Sequence, residues 1–353
     1  MGGKHYTCSV SGLATDRINR FTYPAVPLSA ETKAFQRYYL LKRLGLNISR
    51  VNLLAIVILS GGKCKLSTCT TRYLVAMTMA DLLVIITEIT MIWIINYYFL
   101  GSFRNITHVC SVIGVLSCAA ADCSVCFTVT FSFDRFIAIC CQKLKTKYCP
   151  EKVAVVVLAT TCLLLCSKNV PFYFIFESRE IIDIISRLCY PKKSYFTEPG
   201  WMAFACFDNV LTPLLPYVLI LSFNSLTVKQ VLVASQVRKG LTSHSKAENC
   251  SDAEMVSRRK SVILLFTLSG SFILLCLVIV IEFLYHIISG KEPGYYINSE
   301  YIFEHVGDML RNLSCCSNTF IFGATQSKFR EQFKSVVKYP VTSIVQLINK
   351  QNN

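Results

Sequence analysis

The residues of this chain that could do chemistry are charged side chains set inside long apolar runs. One run, CSVIGVLSCAAADCSVCFTVTFSFDRF, begins at Cys110 and ends on Asp134, Arg135 and Phe136. As a helix, Cys110 to Arg135 spans roughly 37 Å at about 1.5 Å per residue, enough to cross a bilayer. An Arg at the end of such a helix is costly unless paired or hydrated, and Asp134 beside it supplies the counter-charge. Asp81 lies deep in a second run, YLVAMTMADLL, and a carboxylate there needs polar partners. Ser124, eleven residues before Arg135, falls at a similar depth, as do Asn52, Ser314 and Asn318. An oxygen-only set of this kind suits a hard cation, and the competing reading is a protonated Asp81 in a hydrogen-bonded network with no ion. Toward the Cys110 side lie Glu88, Asp122, Asp208, Glu282, Asp308 and Arg311. Acids outnumber Arg311, which favours an amine-bearing ligand, while an acid paired to Arg311 in a purely structural role explains two of them equally well.

Bond-making chemistry finds no support. The chain has no His-Glu-x-x-His, no Gly-x-Ser-x-Gly and no Gly-rich phosphate loop. Its five His form no pair at metal-ligand spacing, so we expect no enzymatic activity and no cofactor apart from the sodium candidate at Asp81 and Ser124. Cys123-x-x-Cys126 has redox-motif spacing but lies inside an apolar span, where thiols serve as small buried hydrophobes.

The elements that must position these residues are membrane helices. The 353 residues are 53% hydrophobic and 16% charged, and the apolar ones come in blocks, which excludes an ordinary soluble core. Seven spans are predicted, at 37–60, 71–97, 108–141, 152–176, 201–232, 259–288 and 301–324, giving an all-α integral membrane fold. The first is the weakest, interrupted by Lys42, Arg43 and Arg50. A basic amphipathic stretch at 327–337, SKFREQFKSVV, reads as a short eighth helix lying on the membrane surface. The domain division is therefore an N-terminal tail at 1–36, a seven-span body at 37–326 and a helix plus tail at 327–353. Net charge is +15, but the basic residues cluster at span ends, which points to anionic membrane lipid and not to nucleic acid. Lys143, Lys145, Lys147, Arg258, Arg259 and Lys260 fall on one side, which makes that side cytoplasmic and the N-terminus extracellular. Asn105-Ile106-Thr107 is then a usable glycosylation signal in the first outer loop.

Taken together, the ADLL string at Asp81, Asn52 in VNLLAIVIL, Cys110 opposite Asp134-Arg135-Phe136, Pro216 in the fifth span and Asn318-Thr319-Phe320-Ile321-Phe322 in the seventh resemble the rhodopsin-like (class A) G-protein-coupled receptors. RYYLLKRLGL, LPYVLILSFNS and FLYHI are similar to the orphan receptor 139/142 group within it. The resemblance implies a plasma-membrane receptor for an extracellular ligand, amino-acid-like, amine or peptide, that activates a heterotrimeric G protein through Asp134-Arg135-Phe136. It implies that Asn318, Phe322 and Pro216 serve switching and that Asp81 with Ser124 holds sodium. It also implies a staple from Cys110 to the second outer loop, whose one Cys is Cys189, with Cys8 as a competing outer Cys. Ser117 stands where monoamine receptors place Asp, which argues against a standard monoamine receptor; it joins Asp122, Asp208, Glu282, Asp308 and Arg311 as the ligand-facing set.

The chain departs from this family pattern in the sixth span. There the family's Cys-Trp-x-Pro is replaced by Leu275-Cys276-Leu277-Val278, so neither the kinking Pro nor the Trp is present. That loss favours a competing reading as a non-signalling receptor that dimerises with others. A transporter would account for the buried charges but not for Asp134-Arg135 opposite a Cys, and no inverted repeat appears. A retinal-binding opsin fails because 301–324 contains no Lys.

Overall fold

The computed structural model describes residues 47–62, 64, 66–88, 107–141, 143–144, 148, 150–182, 185–241, 252–289, 298–336 and 338. Asn105, Cys8, the start of the first span and the end of the second lie outside these residues.

Helix α1 (47–60) ends at Gly62, whose φ of 67° is the left-handed conformation that glycine adopts without a Cβ clash. Helix α2 (Thr68–Val84) starts where the Ser67 hydroxyl accepts the Thr70 backbone N–H, and it finishes in a widened π turn reaching Glu88. Helix α3 (Thr107–Cys140) runs unbroken for 34 residues. Helix α4 (Glu151–Asn169) carries Glu151 in its first turn and Lys168 in its last, each at the end of the helix dipole that favours its charge. A 3-10 segment, Val170–Ile175, follows.

The predicted helical spans are joined by an element that was not foreseen. Residues Phe176–Ile182 (β1) and Ile185–Pro191 (β2) form an antiparallel hairpin, with Ser178 opposite Cys189. The Lys192 backbone N–H closes its base on the Ile175 carbonyl at 2.8 Å. Ile181 and Ile182 of β1 and Ile185 of β2 are β-branched, which suits a pleated ribbon.

Helix α5 opens at Pro199–Asn209, with Pro at the first position where a missing N–H costs nothing. It passes through a π turn, Val210–Leu214, where Thr212 leaves helical geometry (φ −136°, ψ 53°) ahead of Pro213, and it continues as Leu215–Leu241. Helix α6 (Asp252–Ser289) is continuous over 38 residues, as expected for a span without Pro. Helix α7 (Asn298–Thr325) and the short α8 (327–336) complete the described chain.

Five of these helices are long and apolar enough to cross a membrane: Thr68–Glu88, Thr107–Cys140, Glu151–Ile175, Pro199–Ala234 and Ser261–Ile281. Their outward faces are apolar too. Leu163, Leu164, Phe174 and Leu274 are all well exposed, which in water would be a liability and in hydrocarbon is not. The inner core packs Phe131, Leu74, Met77, Leu265, Leu268 and Phe322 together, and α8 is pinned beneath by Phe329 against Phe322. A separate outer core gathers Cys110, Phe172, Ile175, Tyr195 and Ala205 beneath the hairpin.

Candidate functional site

Four polar clusters sit inside this bundle, each drawing side chains from at least two helices. The deepest centres on Asp81, which is fully buried on α2. The Ser124 hydroxyl on α3 donates to Asp81 Oδ1, and Asn318 Nδ2 on α7 donates to Asp81 Oδ2 at 2.8 Å. Helix geometry explains the meeting: Asp81 and Ser124 lie at matching depth on facing helices, and α7 presents Asn318 on its inward side. Asn52, expected beside Asp81, is turned elsewhere. It accepts the Thr319 hydroxyl at 2.7 Å and donates to the Cys315 carbonyl at 3.5 Å, tying α1 to α7. Thr319 occupies the place of the family's Pro, so this departure supplies a cross-helix bond. Asp81 and Ser124 offer the oxygens a hard cation would take, but the neighbouring Cys315 and Cys316 thiols make the surroundings softer than the oxygen-only set read from the sequence.

The inner end of α3 holds the second cluster. Arg135 is 7% exposed and donates through Nε to Asp134 Oδ2 at 2.9 Å, with Nη2 on the same oxygen. Its guanidinium lies 5.9 Å from the centre of the Phe131 ring. Asp134 also accepts the Cys69 thiol of α2 at 3.2 Å, a partner that the sequence gave no reason to single out. Phe136 stacks on Phe223 of α5, and Phe133 meets the same ring at 5.3 Å. Asp134, Phe133, Tyr148, Val153 and Phe223 line an open cleft of about 230 Å³ beside this motif.

Four of the six expected ligand-facing residues divide between two sites. Ser117 and Arg311 come together on Glu88: Arg311 Nη2 donates to Glu88 Oε2 at 2.8 Å, and the Ser117 hydroxyl donates to Oε1 at 3.2 Å. Asp122 and Asp208 meet roughly 7.5 Å further along α3, at about 1.5 Å per residue. Both bind the Lys168 ammonium of α4, Asp122 through Oδ2 at 2.6 Å and Asp208 through Oδ1. Asn169 Nδ2 adds a bond to Asp122 Oδ2 at 2.7 Å. Lys168 was missed in the sequence although it is a lone charge inside AVVVLATTCLLLCSKNVPFYFIF. It offsets part of the acidic excess that had suggested an amine-bearing ligand. The side chains of Glu282 and Asp308 lie outside the described residues.

Cys110 is 1% exposed and disulfide-bonded. The side chain of Cys189 is outside the described residues, though strand β2, which carries it, packs against α3. Pro216 and Phe322 are buried, Pro216 just past the π turn of α5 and Phe322 against Phe329. Among the described residues no group of three or more His, Cys, Asp or Glu is placed to hold a metal ion.

Removing the Arg311 charge strands a buried carboxylate. Arg311→Met is expected to lower the stability of the detergent-solubilised chain by about 3–5 kcal/mol. Glu88→Gln placed with it should restore most of that loss, as read from thermal unfolding followed by size-exclusion chromatography. Equal losses in the single and double variants would show that the pair contributes nothing to stability.

The comparisons with known proteins agree with this geometry. The family model for the 7 transmembrane receptor (rhodopsin family) matches residues 51–322, a stretch that contains Asn52, Asp81, Cys110, Asp134-Arg135-Phe136 and Asn318. A search of curated proteins finds no match. A bundle of membrane helices built around these polar centres, with the family match running through more than half of its length, makes this chain a member of the rhodopsin family of seven-transmembrane receptors.

Proposed function

We propose that the chain is a plasma-membrane receptor, N-terminus outside, that binds an extracellular ligand and activates a heterotrimeric G protein through Asp134, Arg135 and Phe136. The observation that carries this reading is the state of Arg135. It is buried at the inner end of α3 and held by its own neighbour Asp134. A guanidinium held by its neighbour on the same helix gives up only a local contact when a partner engages it. The opposite end of α3 is anchored by the Cys110 disulfide, for which Cys189 is the partner we favour. Asn105 is the glycosylation site in the same reading.

The ligand belongs in the outer half, where Ser117, Asp122, Asp208, Glu282, Asp308 and Arg311 lie along the chain. Paired charges there suit a ligand that carries both an amine and an acceptor, as an amino acid or a peptide does. That agrees with the resemblance to the orphan receptor 139/142 group. Sodium at Asp81 and Ser124 is the proposed allosteric ion. The unbroken α6 favours one second reading, a receptor that pairs with others and does not signal.

Two experiments test these proposals. Energy transfer across all Gα classes in cells expressing the chain should report basal or amino-acid-evoked activation, abolished by Arg135→Ala at unchanged surface expression. Activation that survives Arg135→Ala would contradict the role given to the motif, and silence in every class would favour the second reading. For the ion, sodium titration should change agonist affinity in the wild type and not in Asp81→Asn; flat titrations in both would remove sodium from the account.

A further inference from the structure

The Asp122–Lys168–Asp208 cluster joins three helices at a point where one of them bends. Lys168 Nζ reaches Asp122 on α3, Asp208 on α5 and, at 3.4 Å, the hydroxyl of Thr212. All three charged side chains are at least nine-tenths buried. Thr212 is the residue at which α5 departs from helical geometry, inside the π turn Val210–Leu214 and next to Pro213. A single ammonium therefore holds both the last straight turn of outer α5, through Asp208, and the bend itself, through Thr212. Asn169 supports this from the α4 side by fixing Asp122.

Below the bend, α5 leads directly to the Arg135 region. Asn224 Nδ2 donates to Ser269 of α6 at 2.8 Å, and Phe223 packs on both Phe133 and Phe136, the residues flanking Asp134-Arg135. Helix α6 offers no comparable joint, since it is continuous from Asp252 to Ser289 and contains no Pro. A π turn gives up the regular hydrogen-bond ladder locally and is a common site of helix rearrangement.

We propose that Lys168 is a latch on outer α5 and that the Val210–Leu214 turn is the joint through which α5, in place of a kinked α6, carries motion to the inner end of α3. With the latch closed, Asp208 and Thr212 are drawn toward α4 and the bend is held. With Lys168 withdrawn, the turn rearranges and Phe223 shifts against Phe133 and Phe136. The latch is a property of the bundle, so its test does not depend on signalling.

The full chain in lipid nanodiscs is compared with Lys168→Met and with the triple variant Asp122→Asn, Lys168→Met, Asp208→Asn. The triple variant removes the latch without leaving an unmatched buried charge, and it decides the question if the single variant does not fold. Hydrogen–deuterium exchange at 208–214 should be about tenfold faster in the folded variants, with 124–135 of α3 unchanged. Spin labels introduced as non-natural residues at the exposed positions Gln230 and Lys334 should give a shifted or second distance in the triple variant. Wild-type exchange at 208–214 in the folded triple variant would overturn the latch, as would acceleration spread equally over α3 and α4. An unchanged label distance would overturn the joint.

Discussion

A carboxylate cannot sit in the middle of an apolar bundle without donors, and Asp81 takes its donors from two other helices. Lipid tails are as apolar as Leu, so burying Leu against Leu contributes little to holding membrane helices together. Close packing and polar contacts must set which helix faces which. The Ser124 and Asn318 bonds to Asp81 fix the rotation of α2, α3 and α7 about their axes at once. The Thr319 to Asn52 bond adds α1 to the same assembly. Glu88 with Arg311 repeats the arrangement toward the outer end, and Lys168 with its two aspartates brings in α4 and α5. The bundle is thus organised as a ladder of polar rungs, each near a different depth, with apolar side chains filling between them.

Two of the rungs coincide with widened turns. Glu88 ends the π turn of α2, and the Lys168 cluster touches the π turn of α5. An extra residue in a turn rotates everything beyond it by most of a helical step, so a side chain that would point to lipid is brought inward. The departures from the family pattern also fall into place on this view. Thr319 in place of Pro keeps α7 helical and gives its hydroxyl to Asn52, while Phe322 in place of Tyr is fully buried against Phe329 of α8. These substitutions exchange mobile or kinked features for fixed contacts.

Much of this was legible in the sequence because membrane helices announce themselves by length and apolarity, and buried charges stand out against that background. Asp81, Ser124 and Asn318 could be placed at one depth by counting along helices, and Asp134 was the obvious counter-charge for Arg135. What counting could not supply was rotation. Asn52 lies at the right depth for Asp81 but faces Thr319, and Asp122 and Asp208 were recognisable as buried acids without their shared cation. Lys168 was visible as the one charge between Val153 and Phe176, yet its side chain is long enough to reach in several directions, and only the placement of α5 shows which. The β1–β2 hairpin was missed because it is a short ribbon in a charged loop, with no long apolar run to mark it. The π turns left no sequence signal beyond Pro213.

The central claim is that the polar rungs act as joint constraints between helices and not as separate local bonds. A double-mutant cycle on Asp81→Asn and Asn318→Ala, with stability measured by thermal unfolding of the full chain in nanodiscs, addresses it directly. The account predicts a coupling of about 1 kcal/mol or more between the two positions, because either change alone already breaks the α2–α7 rung. Effects that add to within about 0.3–0.5 kcal/mol would contradict it, since that is the behaviour of residues with no shared interaction.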